Sequence, residues 1–425
     1  MTTTRCDDAL HPKRRRRFTR SRRALVVLAI ALPLACSPAA EDPPESGDLP
    51  PERSPSEALA RDLELLRDLG YTDWDDRTDD TLRSVTVFDP ARTSPGYNLY
   101  TNDVDEVILM DLAGERVRTW KLPGKKFCEH AELLPDGDLL VVCTRQALVR
   151  LSWDGDVVWE VEVPVHHDVA TAPDGSVWAP FIDSRRSYLG RRVKFDGLLQ
   201  VDTRGRRLRT WSTFEHLEEL QRYHAPSALD APATAEEAAE QEPAERKRWD
   251  YYHLNTVEVL PETSLGSKDP RFRAGNLLVC LRNANLVLIL DRDDSSVVWD
   301  WGTGTLDAPH MPTLLANGHI LVFDNGYRRG FSRILEIDPP SGEIVWSYEA
   351  TPRTDFFTAR RGSSQRLANG NTLICEAERG RAFEVTRSGD IVWEFWNPEI
   401  RDGKRKRIYR FTRVPPEAVE PFLHR

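Results

Sequence analysis

No two of the six cysteines in this 425-residue chain are spaced as CxxC, and none joins histidines at zinc-finger spacing. That argues against a structural zinc site, which needs four nitrogen or sulfur ligands brought together. Long apolar runs are almost absent. The one stretch that stands out, Ala24–Leu34, has eleven residues, against the roughly 20 that span a bilayer as a helix. A polytopic membrane protein is therefore excluded. A basic excess is missing too, with 58 Lys and Arg against 68 Asp and Glu. Nucleic-acid binding draws on phosphate-neutralising Lys and Arg, so DNA and RNA are poor partners for this chain.

What is present begins with an export pattern. His11–Arg23 is a cationic stretch, the short apolar run follows, and small residues come next. Leu34-Ala35-Cys36 resembles the lipobox of bacterial lipoproteins, although Pro33 stands where that motif prefers Leu. The pattern implies a signal peptide over 1–35, lipidation of Cys36, and a membrane anchored through that lipid in the bacterial envelope (periplasm or outer membrane). An ordinary signal peptide with an incidental cysteine is the alternative. Residues 1–35 carry nine Lys and Arg and two Asp, a net +7, so the remainder stands near −17. Residues 36–55, rich in Pro, Ser and Glu, read as a tether too polar to fold. Over 56–82 the spacing of Leu59, Leu63, Leu66 and Leu69 predicts a short helical lead-in.

From about Ser84 the chain turns to short β-rich runs separated by Asp-Gly and Asn-Gly turns. A Gly or Ser turn followed by a strand ending in Trp recurs at Trp120, Trp159, Trp211, Trp299, Trp346 and Trp393. A second repeat accompanies it, as in LLPDGDLLVV (133–142), LLANGHILVF (314–323) and RLANGNTLIC (366–375). Four short strands per ~45 residues is the arithmetic of a propeller blade. The predicted fold is all-β, a six-bladed β-propeller over 83–415 behind the lipoprotein tether. A helical insertion is expected at about 213–249 and a tail at 416–425. SVTVFD, YNLYTND, EVILMDL and RVRTWKL are expected to form the first blade, with Arg407–Val414 adding a last strand. The Trp residues are expected to pack between blades. The four cysteines beyond Cys36, at 128, 143, 280 and 375, are expected as thiols in strand packing.

Propeller ligands sit at the central channel, lined by the innermost strand of each blade. The hairpin glycines act as markers: His130, His167 and His310 stand seven or eight residues before them, and His253 holds the matching place in its own unit. Imidazoles gathered at one repeat position suit anion binding, proton transfer or metal ligation. The bland alternative is a polar inner strand whose histidines bond the neighbouring backbone. Arg328 and Arg329, in FDNGYRRG (323–330), are expected on the same rim, where a guanidinium can hold a sulfate, phosphate or carboxylate. Gln365 lies where earlier blades carry His.

These segments resemble the bacterial arylsulfotransferases, periplasmic six-bladed propellers that move sulfate between phenols without a nucleotide donor. WDYYHLNTVEVLPE (249–262), PHMPTLLANGHILVFDNGYRRG (309–330), SRILEIDPPSGEIVWSY (332–348) and SSQRLANGNTLICE (363–376) carry the resemblance, over roughly 85–415. It implies that His253 and His310 bind or protonate sulfate oxygens, that Arg329 stabilises the sulfuryl group, and that the partner is a small aryl sulfate or phenol. Asn255 and Asn325 belong to the motifs, and with His130, His167, Arg328 and Gln365 complete the expected substrate-binding set; no cofactor or metal is implied. The family chemistry also needs a histidine C-terminal to the FDNG arginine, one that becomes transiently sulfurylated. Only His424 follows Arg329. A catalyst of altered chemistry and a non-catalytic propeller, binding an anionic ligand or a protein partner, therefore both stay open. A weaker similarity links Asp338–Trp346 to the tryptophan-docking turn of quinoprotein and outer-membrane scaffold propellers, which usually have eight blades.

Overall fold

A computed structural model describes residues 74–75, 79, 81–101, 105–125, 127–183, 187–188, 191–223 and 249–423. The lipobox Cys36, the tether, the Leu59–Leu69 segment, most of the insertion and His424 lie outside them. Six antiparallel sheets follow one another around a ring, each a blade of the expected propeller. Blade 2, for example, is built from Cys128–Leu133, Leu139–Cys143, Ala147–Leu151 and Val157–Glu162, inside to outside. Blades 3, 4 and 5 open with Ala170–Thr171, Leu254–Val259 and His310–Leu314, and blade 6 with Ser363–Arg366. The inner strands thus fall where the hairpin glycines place them.

The second strand of a blade is sandwiched by neighbouring blades on both faces, so it carries no polar alternation. Leu139–Cys143, Leu277–Leu281 and Ile320–Asp324 are buried at every residue, as expected of strands with no solvent face. Four of the hairpins feeding these second strands are fixed by their own side chains. Asp136, Asp174, Asn317 and Asn369 each accept from the backbone N–H two residues on, at 2.9–3.2 Å.

The repeated tryptophans dock one blade to the next. Trp120, Trp159, Trp299 and Trp346 donate their indole N–H to the backbone oxygens of Trp153, Thr203, Pro339 and Arg387, each in the outer turn of the following blade. Trp393 closes the ring by donating to Leu112 O at 2.8 Å. Trp211 is the exception: its indole nitrogen is buried without a hydrogen-bond partner among the described residues, and its ring stacks on His216. Here the insertion follows directly, and helix α1 (Leu217–Tyr223) approaches blade 4 through Glu219, which accepts from Val297 N at 3.0 Å.

Closure differs from the sequence expectation in two places. Ser84–Phe88 is not part of blade 1; it pairs with Ile391–Trp396 as the fifth, outermost strand of blade 6. The inner strand of blade 1 is Phe411–Val414, paired with Tyr97–Thr101. Both chain ends therefore latch the ring, and Arg413 bolts the latch through Asn98 Oδ1 at 2.7 Å and Glu384 at 3.1 Å. Nor are residues 416–423 a free tail. Pro416–Leu423 is a helix, α2, whose Val419 and Phe422 are buried in the apolar core shared by blades 1 and 2. Phe422 packs on Trp153 and over the hairpin at Gly137, where φ is +91° and an added Cβ would lie 2.6 Å from the ring. Phe422→Ala is expected to cost about 3 kcal/mol, a large-to-small core loss, read as a lowered urea midpoint. An unchanged midpoint would show that α2 adds nothing to closure.

The cysteines at 128, 143, 280 and 375 are fully buried. Cys128 and Cys143 are cross-strand partners in blade 2, with sulfurs 2.8 Å apart.

Candidate active site

Two backbone features bring the polar cluster together. Residues entering the inner strands take left-handed backbone, at Phe127, His167, His253, Ala308 and Arg361. For side chains other than glycine such strain collects at functional sites. The second feature is the long third strand of blade 3, Arg191–Val201. Past the insertion the chain returns parallel to it, with Lys194 opposite Asp250. That register sets Lys194 Nζ 3.1 Å from both Asp250 Oδ1 and Asp196 Oδ1.

From Asp250 the chain runs directly into His253, whose Nδ1 meets Asp250 Oδ2. His253 Nε2 lies 3.0 Å from His167 Nε2, across the boundary between blades 4 and 3. His167 Nδ1 lies 3.1 Å from His166 Nδ1, and His166 Nε2 is 3.1 Å from Asp196 Oδ1. Glu129 of blade 2 accepts from His167 N at 3.3 Å, and the Tyr409 ring packs against His167.

His310 stands on blade 5 with its tautomer set by its neighbour. Asn325 donates its amide protons to Thr358 O and Arg361 O at 2.8 and 2.7 Å, which turns Asn325 Oδ1 toward His310 Nδ1, 2.7 Å away. The ring proton therefore sits on Nδ1, and Nε2 keeps its lone pair. Nε2 makes no hydrogen bond to any described residue.

Burial holds His310 well below the ordinary imidazole range, with Arg282 adding to the effect. Burial does the same for His167, reinforced by His166 and His253, and for His130, reinforced by Arg410. His253 is lowered by burial, with Asp250 opposing. At Asp250 burial is outweighed by His253 and Lys194, and the carboxyl stays ionised. Burial likewise loses to Asp196 and Asp250 at Lys194, which stays protonated.

Two further carboxyls are pushed up by burial, Glu132 to about 7 and Glu258 to about 8. Glu258, on the inner strand of blade 4, accepts from Leu314 N at 2.8 Å. Its folded value lies above the ordinary 4.5, so its contribution is complete below that pH and is lost as pH rises toward about 8. Glu258→Gln stays neutral throughout, and is expected to flatten the fall of the urea midpoint between about pH 5 and pH 8. An unaltered slope would refute a protonated Glu258.

The structure thus joins His167 and His253 directly, and holds His310 through Asn325. His130 turns to Asp168, 3.8 Å away. Of the predicted arginines, Arg329 is engaged by Asp324 and the backbone oxygen of Phe331, and makes no polar contact with a histidine among the described residues. Arg328 is exposed, and its backbone N–H donates to Asp307. Asn255 donates to Pro309 O, and Gln365 exchanges two bonds with the backbone of Arg413. In this structure these amides tie inner strands together.

Reading the sequence missed His166, Asp250, Lys194, Asp196 and Glu129. Adjacency to His167, and a place three residues before His253, were the available signals for the first two. Lys194, Asp196 and Glu129 reach the cluster only through blade topology. Among the described residues no group of three or more His, Cys, Asp or Glu side chains is arranged to hold a metal ion.

Fold and site together define a six-bladed propeller with a buried histidine–carboxylate cluster among its inner strands. A family model described as Arylsulfotransferase (ASST) matches residues 130–398, more than half of the sequence, and the chain belongs to that family. No curated protein matches it significantly. Similar solved structures include a protein of unknown function from Bacteroides caccae, at 16% identity over 75% of this chain and 98% of that one, with a TM-score of 0.47. A streptogramin B lyase aligns at 12% identity over 78% and 93%, with a TM-score of 0.43. The virginiamycin B lyase of Staphylococcus aureus with quinupristin aligns at 12% over 78% and 98%, with a TM-score of 0.41.

Proposed function

We propose that this protein transfers the sulfuryl group of an aryl sulfate ester to a phenolic acceptor, with no nucleotide donor, and that His310 takes up the group in between. The observation that carries the reading is the fixed tautomer of His310. A neutral imidazole held with its proton on Nδ1 offers Nε2 as a nucleophile; it cannot donate from that nitrogen to a sulfate oxygen. Family chemistry needs a sulfurylated histidine, and only His424 follows Arg329. His310 supplies the chemistry from an earlier blade. Splitting the transfer through a covalent intermediate lets one site serve donor and acceptor in turn.

The test is transfer from p-nitrophenyl sulfate to phenol, with acid-quenched protein analysed for a sulfuryl adduct on His310. Turnover with an adduct elsewhere would remove His310 from this role. Absence of turnover across a panel of donors and acceptors would leave the second reading, a propeller that binds an anionic ligand or a protein partner. Arg329 favours that reading, since Asp324 already engages it. Either role is proposed for an exported, lipid-anchored protein on the strength of the Cys36 motif.

A further inference from the structure

Blade 2 opens on an irregular pairing. Cys128 is the cross-strand partner of Cys143, but the next paired residue is His130, opposite Val142. Glu129 is therefore the extra residue of a β-bulge, a device that re-aims the side chain it frees. Glu129 Oε2 accepts from the hydroxyl of Thr144 and from His167 N, the latter at 3.3 Å. Each cysteine thus stands one residue before a member of the Glu129–Thr144 pair that brings a carboxylate from blade 2 to His167.

We propose that Cys128 and Cys143 form a disulfide in the exported protein, and that this bond fixes the bulge that holds Glu129 against His167. The oxidant rests on the export reading; nothing in the bond rests on sulfuryl transfer.

Geometry carries the pairing. Residues directly opposite in antiparallel strands keep their Cα atoms about 4.5–5.5 Å apart, within the range that a disulfide spans. Side chains of such a pair share one face of the sheet, and here the two sulfurs lie 2.8 Å apart. Both residues are wholly buried, so neither sulfur turns to solvent instead. The neighbouring backbone holds the strands in register, with Thr144 N donating to Phe127 O at 2.9 Å. The other two buried cysteines have no thiol opposite. Cys280 pairs with Thr256 and donates to Pro309 O at 3.2 Å; Cys375 pairs with Ser363 and donates to Ile408 O at 3.8 Å. The expectation of thiols then stands for Cys280 and Cys375 alone.

The chemistry is thiol–disulfide exchange, with a disulfide-bearing oxidant of the envelope as co-reactant. The Cys128 thiolate attacks one sulfur of that oxidant, and the other leaves as a thiolate. The Cys143 thiolate then attacks Cys128 Sγ in the mixed disulfide and releases the second sulfur. The two thiol protons and two electrons end on the oxidant, which departs as two thiols. Because both sulfurs are buried in the closed ring, the exchange precedes its closure.

Trypsin cuts after Lys126 and Arg145, so one peptide, Phe127–Arg145, holds both residues. Full-length protein from bacteria that export it is quenched in acid, then alkylated with iodoacetamide in urea without reductant. The peptide should carry no label and weigh two hydrogens less than its dithiol form, while Cys280 and Cys375 are labelled. Two labels on it, even after refolding with oxidised glutathione, would overturn the proposal. Two labels in the cell but none after that refolding would uphold the pairing and overturn the export reading. Cross-linking a loop of this length lowers the unfolding constant on the order of 10²-fold. Dithiothreitol should accordingly lower the urea midpoint of the wild type and leave that of Cys128→Ala/Cys143→Ala unmoved. A wild-type midpoint indifferent to the reductant would overturn the bond. In 15N-histidine-labelled protein, reduction should shift the backbone amide of His167 but not that of His319 in blade 5. An unmoved His167 amide would uphold the bond and overturn its hold on Glu129.

Discussion

Replacing His310 with alanine is expected to abolish transfer from p-nitrophenyl sulfate to phenol while leaving the propeller folded. The loss should reach at least the 10²–10⁴-fold typical of removing a residue from acid–base chemistry, because the variant also lacks the proposed covalent route. The ring is buried, but its one hydrogen-bonding partner side chain, Asn325, keeps Thr358 O and Arg361 O when the imidazole is gone. The strand itself is held by ladder bonds to Ile320–Asp324. Stability should therefore fall far less than activity, and a urea titration beside the assay separates the two. Asn325→Ala should give an intermediate loss, since the ring survives but nothing then fixes its tautomer. Full activity in His310→Ala would end the assignment of this residue.

The blades were legible because the sequence repeats. Four hairpins carry Asp or Asn at one place and Gly at the next, and the second strands are rich in apolar residues because they have no solvent face. Trp at the outer strand is required five times for the same hydrogen bond to the next blade. Closure was harder to read. Ser84–Phe88 has the composition of an inner strand, yet it pairs at the outer edge of blade 6. Which end of the chain completes which sheet depends on ring geometry, and no local pattern records that.

The site was legible in its imidazoles and in Asn325, which meets His310. His130, His167, His253 and His310 stand at a repeat position, so periodicity exposes them. Their partners arrive by other routes. Lys194 and Asp196 lie on the third strand of blade 3, and Asp250 follows an insertion; only a parallel pairing outside the blade pattern unites them. The arginine motif was legible, but the partner of its guanidinium was not. FDNGYRRG puts Arg329 beside Asp324 in its own loop, and the carboxylate holds the guanidinium there at 3.1 Å. A charge of the right type near the right histidine is no guide to where it points when an acid of opposite sign lies five residues away.

The largest stability loss is expected at Asp168, where blades 3 and 4 and the closing segment meet. One oxygen pairs with Arg410, which is 5% exposed, and accepts from Val169 N at 2.9 Å; the other accepts from Val257 N at 3.0 Å. Asp168→Ala removes the partner of a buried guanidinium and leaves a strand N–H unpaired, a loss of the 3–5 kcal/mol class. Arg410 stands immediately before the Phe411–Val414 strand that closes blade 1, so strain at this point should loosen the latch itself. The pair need not be stabilising overall. A buried ion pair replaced by apolar side chains of similar volume often costs little. The double variant Asp168→Leu/Arg410→Met is therefore expected to recover most of the loss, and with the wild type and the single variants Asp168→Leu and Arg410→Met its urea midpoint completes a cycle whose coupling measures the pair. A double variant no better than Asp168→Ala would mean that the bond to Val257, not Arg410, is what Asp168 is there to make.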